Sequence, residues 1–240
     1  MNSTPFPRQL PEPHEVRLSL PSAELEGSLT LPEEARGLVL FAHGSGSSRH
    51  SPRNRYVAEI LQAAGLGTLL MDLLTRDEDE VDRFTRQFRF DIGLLGDRLT
   101  DAIDWLERQQ ETRELPIGLF GASTGAAAAL HAAAARPDRV HTVVSRGGRP
   151  DLAGEELERV QAPTLLIVGA DDTPVIPLND EARRQMKAPV EMQLVPGAGH
   201  LFEEPGTLAA ASALARDWFV RQLSLESTSG SPRSAKEQPG

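Results

Sequence analysis

The chain has 240 residues, a formal net charge of −10 and no cysteine, which allows one domain with a sizeable core and excludes disulfides and thiolate metal sites. The acidic balance argues against nucleic acid and anionic membranes as partners. No apolar run approaches the ~18 residues of a membrane-spanning helix, and Met1–Pro7 lacks the apolar core of a signal peptide, so a cytoplasmic location is expected.

In chain order, residues 1–13 are proline-rich and read as an extended arm. Val16–Leu20 and Glu24–Leu31 alternate apolar and polar residues, the pattern of an antiparallel hairpin. Beyond Gly37, strands and helices alternate. Strands are predicted near Gly37–His43, Leu66–Leu73, Ile117–Phe120, Val140–Ser145, Thr164–Val168 and Val190–Val195. Helices are predicted near Arg53–Ala64, Asp91–Arg108, Thr124–Arg136, Pro177–Met186 and Thr207–Leu223. Such alternation predicts an α/β fold: a mostly parallel eight-stranded sheet, its first two strands antiparallel, with helices on both faces and no large lid domain. The domain is expected to span 14–223, followed by a Ser-, Pro- and Gly-rich tail over 224–240 with a disordered composition.

Thr75–Phe90 stands outside that alternation. Its charge run, Asp77 to Asp82, reads as a solvated helix face, and Phe84, Phe88 and Phe90 read either as a roof over an acyl pocket or as core.

The chemistry-bearing motif is Gly121-Ala122-Ser123-Thr124-Gly125, between an apolar run and an alanine-rich helix. A G-x-S-x-G at a strand-to-helix turn forces its serine into a positive-φ conformation and lifts the hydroxyl above the sheet. That hydroxyl is a weak nucleophile until an imidazole takes its proton. His200, after a strand and a Gly-rich loop, is the expected base. Asp172 is the expected acid, at the end of the aliphatic run Thr164–Gly169; Asp171 reads as a turn residue and Asp151 as a weaker third candidate. The order Ser123, Asp172, His200 is that of one serine-hydrolase arrangement among several.

Acyl transfer also needs N–H donors for the developing oxyanion. Thr124 supplies one, and Ser45, in the loop after Gly37–Gly44, is the most plausible second; Ser48 or Ser51 would cap the next helix ahead of Pro52. His43 reads as structural. Arg49, His50, Arg53 and Arg55 follow that loop, and Arg146 and Arg149 follow another strand. Arg49 and Arg146 are candidates to grip a substrate anion, with ion pairing to Asp72, Asp151 or helix ends as the alternative.

On these residues the chain resembles the α/β-hydrolase superfamily over about 15–223. The resemblance rests on His43-Gly44, Gly121–Gly125, Gly169–Val175 and Gly197–His200. The ending Gly197-Ala198-Gly199-His200-Leu201-Phe202-Glu203-Glu204-Pro205-Gly206 looks most like the dienelactone-hydrolase-like branch. The similarity implies a catalytic Asp at the fourth place of Gly169–Val175, which is Asp172. Authentic dienelactone hydrolases use a Cys nucleophile; here Ser123 must take that place, which implies a general carboxylesterase. The expected function is therefore hydrolysis of small or short-chain esters through an acyl-enzyme, with no cofactor or metal and a small-molecule ester as partner. Acyl transfer, lactone or C–C hydrolysis, and a non-catalytic binding module are the alternatives.

Overall fold

The structure is a computed structural model, and it describes residues 11–224. The expected N-terminal arm and C-terminal tail lie almost wholly outside those residues. Eight strands form one sheet in the order β1-β2-β4-β3-β5-β6-β7-β8. β1 (His14–Ser19) and β2 (Glu24–Thr30) pair antiparallel, and β2 also runs antiparallel to β4 (Gly67–Met71). β3 (Leu38–Ala42), β4, β5 (Ile117–Ala122), β6 (Val140–Arg146), β7 (Thr164–Gly169) and β8 (Val190–Val195) are parallel.

Each central strand is buried on both faces, which is why its sequence is a continuous aliphatic run. Successive residues still divide between two cores. Leu38, Leu40 and Ala42 of β3 join one core with Leu119, Val143 and the helices α3 (Ile92–Arg108) and α4 (Thr124–Ala135). Val39 and Phe41 join the other with Phe120, Val144, α1 (Pro52–Ala63) and α6 (Thr207–Ser224). The alanines of α4 let it lie against the middle of the sheet, and Gly125 to Leu130 are all buried.

Ser51 caps α1 through its side chain, which accepts from the Asn54 N–H, and Pro52 opens the helix. The charge run folds as a further helix, α2 (Arg76–Thr85), opened by a capping box between Thr75 and Glu78. Glu78 also grips the buried Arg98 of α3 through two contacts of 2.6 Å. Phe84 and Phe90 serve neither expectation, while Phe88 is half-buried. Phe84 is 89% exposed, because Asp82, rather than the Phe84 ring, is the residue α2 buries; Phe90, beyond the helix, is 55% exposed. α5 (Ile176–Gln185) follows β7, and a 3-10 segment over Pro150–Arg159 follows β6, where Gly154 breaks the helical path at φ 56°.

Candidate active site

The parallel strands end on one side of the sheet, and the candidate residues collect there. Ser123 sits between β5 and α4 with φ 53° and ψ −125°, the strained conformation expected of the elbow. The neighbouring glycines make the turn possible by absence of a Cβ. One added at Gly121 would stand 2.4 Å from the Ala126 Cα, and one at Gly125 would stand 2.3 Å from the Ala42 carbonyl oxygen. Ser123 is bolted to the next strand as well: its N–H donates to the Arg146 carbonyl at 3.3 Å.

His200 arrives on the loop after β8. Its Nε2 lies 3.3 Å from the Ser123 hydroxyl, and its Nδ1 lies 2.7 Å from Asp172 Oδ2. Asp172 is 9% exposed and held by the turn after β7, where its N–H donates to the Gly169 carbonyl and its own carbonyl accepts from Val175. Gly169 lets the two loops meet, since a Cβ there would stand 2.3 Å from the Ala198 carbonyl oxygen. Among the described residues, Asp171 contributes its N–H alone, to the Ala198 carbonyl at 3.0 Å. Asp151 pairs with Arg149 at 2.7 Å.

The loop after β3 runs against the serine, so close that a Cβ on Gly44 would stand 3.1 Å from the Ser123 Cβ. Its Ser45 N–H donates to the Thr124 hydroxyl at 2.9 Å. His43 anchors the base of this loop. Its Nδ1 donates to the Gly44 carbonyl at 2.9 Å, and its Nε2 accepts from the Leu73 N–H at 3.1 Å. That assignment requires a neutral ring, and burial indeed pushes the His43 pKa below 6.5.

A pH dependence of stability follows. The unfolded imidazole binds its proton near 6.5 while the folded one resists it, so stability is present above that range and is lost as pH falls below it. Glu78 and Asp104, held low mainly by hydrogen bonds from Arg98 and Arg136, add their losses only below about 4.5. Thermal melts should therefore show Tm falling between pH 6.5 and 4.5, and His43→Gln should flatten that slope while lowering Tm overall. An unchanged slope would show that His43 is not its source.

The two arginines expected to meet a substrate anion are engaged elsewhere. Arg49 is surrounded by Asp72, Glu26 and Glu15, which is the ion-pairing alternative. Arg146 turns into the core: its guanidinium stacks 5.6 Å from the Phe120 ring and 6.0 Å from Phe202, and donates to Asn54 at 3.3 Å. Only 7% exposed and without a carboxylate partner among the described residues, it is pushed down to about 10 by burial and the neighbouring Arg53. The alternation of side chains along β6 carries the reason, since it turns Ser145 toward α4 and Arg146 toward the α1–α6 face. Arg53 pairs with Glu203.

A cavity of about 1040 Å³ opens beyond Gly44 and Ser45, away from Ser123. Ser48, Thr75, Asp79 and Arg89 line it together with Leu73, Leu74 and Leu95, and none of Phe84, Phe88 and Phe90, weighed as an aromatic roof, is among its lining residues. Among the described residues, no group of three or more His, Asp or Glu could hold a metal ion, and no helix is long and apolar enough to cross a membrane.

Residues 25–225 match the Dienelactone hydrolase family, and the chain belongs to it. It is a hydrolase-fold member by structure as well. It is 56% identical to a dienelactone hydrolase from Anabaena variabilis, covering 89% of this chain and 99% of that one with a TM-score of 0.88. Est1E from Butyrivibrio proteoclasticus shares the fold at 15% identity, with 87% and 98% covered and a TM-score of 0.73. A Mycobacterium tuberculosis protein with the provisional name phosphoribosyl transferase is 54% identical over 216 residues, which are 90% of this chain and 48% of that protein. The chain thus spans about half the length of the curated relatives it matches.

Proposed function

We propose that this protein is a serine hydrolase that cleaves small or short-chain carboxylic esters through an acyl-enzyme. The observation that carries the reading is the unbroken chain from the Ser123 hydroxyl to His200 at 3.3 Å and from His200 to Asp172 at 2.7 Å. His200 Nε2 takes the Ser123 proton as Oγ attacks the carbonyl carbon. Asp172 accepts from Nδ1–H, fixes the tautomer and stabilises the imidazolium. The Thr124 and Ser45 N–H groups hold the oxyanion. His200 then protonates the leaving alcohol, and a water molecule repeats the sequence on the acyl-enzyme.

Membership of a family named for a lactone hydrolase favours cyclic esters among the substrates to try. The phosphoribosyl transfer named for the mycobacterial relatives belongs to proteins about twice this length, and no feature of the Ser123 site favours it.

The test is covalent. Incubated with a fluorophosphonate probe, the native protein should gain one phosphonyl adduct by intact mass, and Ser123→Ala should gain none. A folded native protein that remains unlabelled would remove the acyl-enzyme reading.

A further inference from the structure

Thr124 opens α4 and is only 5% exposed. The elbow geometry asks for its backbone N–H and says nothing of its side chain. Yet Oγ1 accepts from the Ser45 N–H at 2.9 Å, joining positions 79 residues apart. The two residues assigned above to offer N–H groups to the oxyanion are therefore tied to each other, and the Ser45 N–H points at a hydroxyl oxygen.

A threonine hydroxyl that accepts a hydrogen bond still carries a proton to give. Within helices that proton commonly goes back to the carbonyl four residues earlier. Thr100 and Ser212 do this here, donating to Gly96 at 2.9 Å and Leu208 at 2.7 Å. Thr124 has no such outlet, because the residue four earlier, Phe120, belongs to β5. Among the described residues its hydroxyl proton finds no acceptor. A buried donor left open beside the nucleophile is a cost unless the reaction uses it.

We propose that the Thr124 hydroxyl is a third donor of the oxyanion hole, resting on the acyl-enzyme reading above. As Ser123 Oγ bonds to the carbonyl carbon, the carbonyl π pair moves onto oxygen and the serine proton moves to His200 Nε2. The Thr124 proton stays on Oγ1 and is shared with the new oxyanion by a hydrogen bond; no proton leaves threonine. The Ser45 N–H, divided between Oγ1 and the oxyanion, polarises the hydroxyl and strengthens its donation. Full negative charge exists only on the tetrahedral species, so the contact favours the transition state over bound substrate and acts on kcat.

Thr124→Val exchanges the hydroxyl for a methyl group at nearly constant volume, and Thr124→Ser restores the hydroxyl. With an activated ester such as p-nitrophenyl acetate, Thr124→Val should lose about 10²-fold in kcat, the scale for one oxyanion donor, with KM within about twofold. Thr124→Ser should recover most of that loss. Thr124→Ala, which can introduce no clash, should match the valine variant and stands in for it if valine prevents folding. Native kcat in the variants lacking the hydroxyl overturns the proposal, as does equal impairment of Thr124→Ser. A positioning role through the Ser45 loop alone would also fall on kcat, so Ser45→Pro, which removes that N–H, separates the two: a Thr124→Val loss that vanishes in the Ser45→Pro background overturns the proposal, and one that persists there is the expected result. Fluorophosphonate labelling separates the two levels: a native protein that does not label removes the underlying reading and this one with it. A native protein that labels, with valine and alanine variants at full kcat, removes only the Thr124 donor.

Discussion

Asp172→Asn is expected to lower kcat by about 10⁴-fold while leaving the fold intact, and Asp171→Asn to change it less than twofold. The asymmetry comes from what each carboxylate faces. Asp172 Oδ2 stands 2.7 Å from His200 Nδ1. An asparagine there can turn its amide N–H toward Nδ1, which makes Nδ1 the acceptor and moves the ring proton to Nε2. Nε2 then carries the proton that it should be taking from Ser123, and the base is lost. Asp171 is used through its backbone N–H alone, so its side chain can change without disturbing the ring. Steady-state kinetics of the two variants on one ester decide the matter. A small effect at Asp172 together with a large one at Asp171 would reverse the assignment of the acid.

The distinction between Asp171 and Asp172 shows how far the sequence could be read. The strand-turn-helix context of Ser123, the aliphatic run before Asp172 and the glycines before His200 are local patterns, so the three residues could be named from sequence. The strands were legible for the same reason, as continuous aliphatic runs or clean alternation. The pairing of Arg49 with Asp72 was readable as one of two alternatives, whereas the destination of Arg146 was not, because it depends on strands far away in sequence. Arg49 is taken by Asp72, Glu26 and Glu15 from β1, β2 and the end of β4, and Arg146 by rings on β5 and on the loop after His200. Phe84 and Phe90 misled through composition, since aromatic residues are ordinarily buried; α2 turns its one buried position to Asp82 rather than Phe84, and Phe90 lies exposed beyond that helix. The side chain of Thr124 carried no sequence signal at all. Its link to Ser45 exists only because β3 and β5 are neighbours in the sheet, and a chain order cannot announce that.

That adjacency also sets the second large effect. Gly125→Ala is expected to destabilise the protein by about 3 kcal/mol or more, and to reduce activity beyond what the stability loss explains. The added Cβ would meet the Ala42 carbonyl oxygen at 2.3 Å and the His43 carbonyl oxygen at 2.6 Å. Both are backbone atoms at the end of β3, so no side chain can swing aside; either α4 lifts from the sheet or the strand end shifts. A shift of the strand end carries Gly44 and Ser45 with it, and Ser45 is one of the two groups linked over Ser123. The loss should therefore appear in kcat measured well below the variant's Tm. Gly93→Ala is the control with the opposite sign. It lies in the first turn of α3, where a Cβ meets nothing closer than 3.5 Å, and should stabilise by about 0.5–1 kcal/mol through helix propensity and the stiffer unfolded chain. Chemical denaturation of both variants tests the pair. If Gly125→Ala unfolds like the native protein, the close approach of α4 to β3 is not what holds the oxyanion loop against the nucleophile, and the elbow must be rigid on its own account.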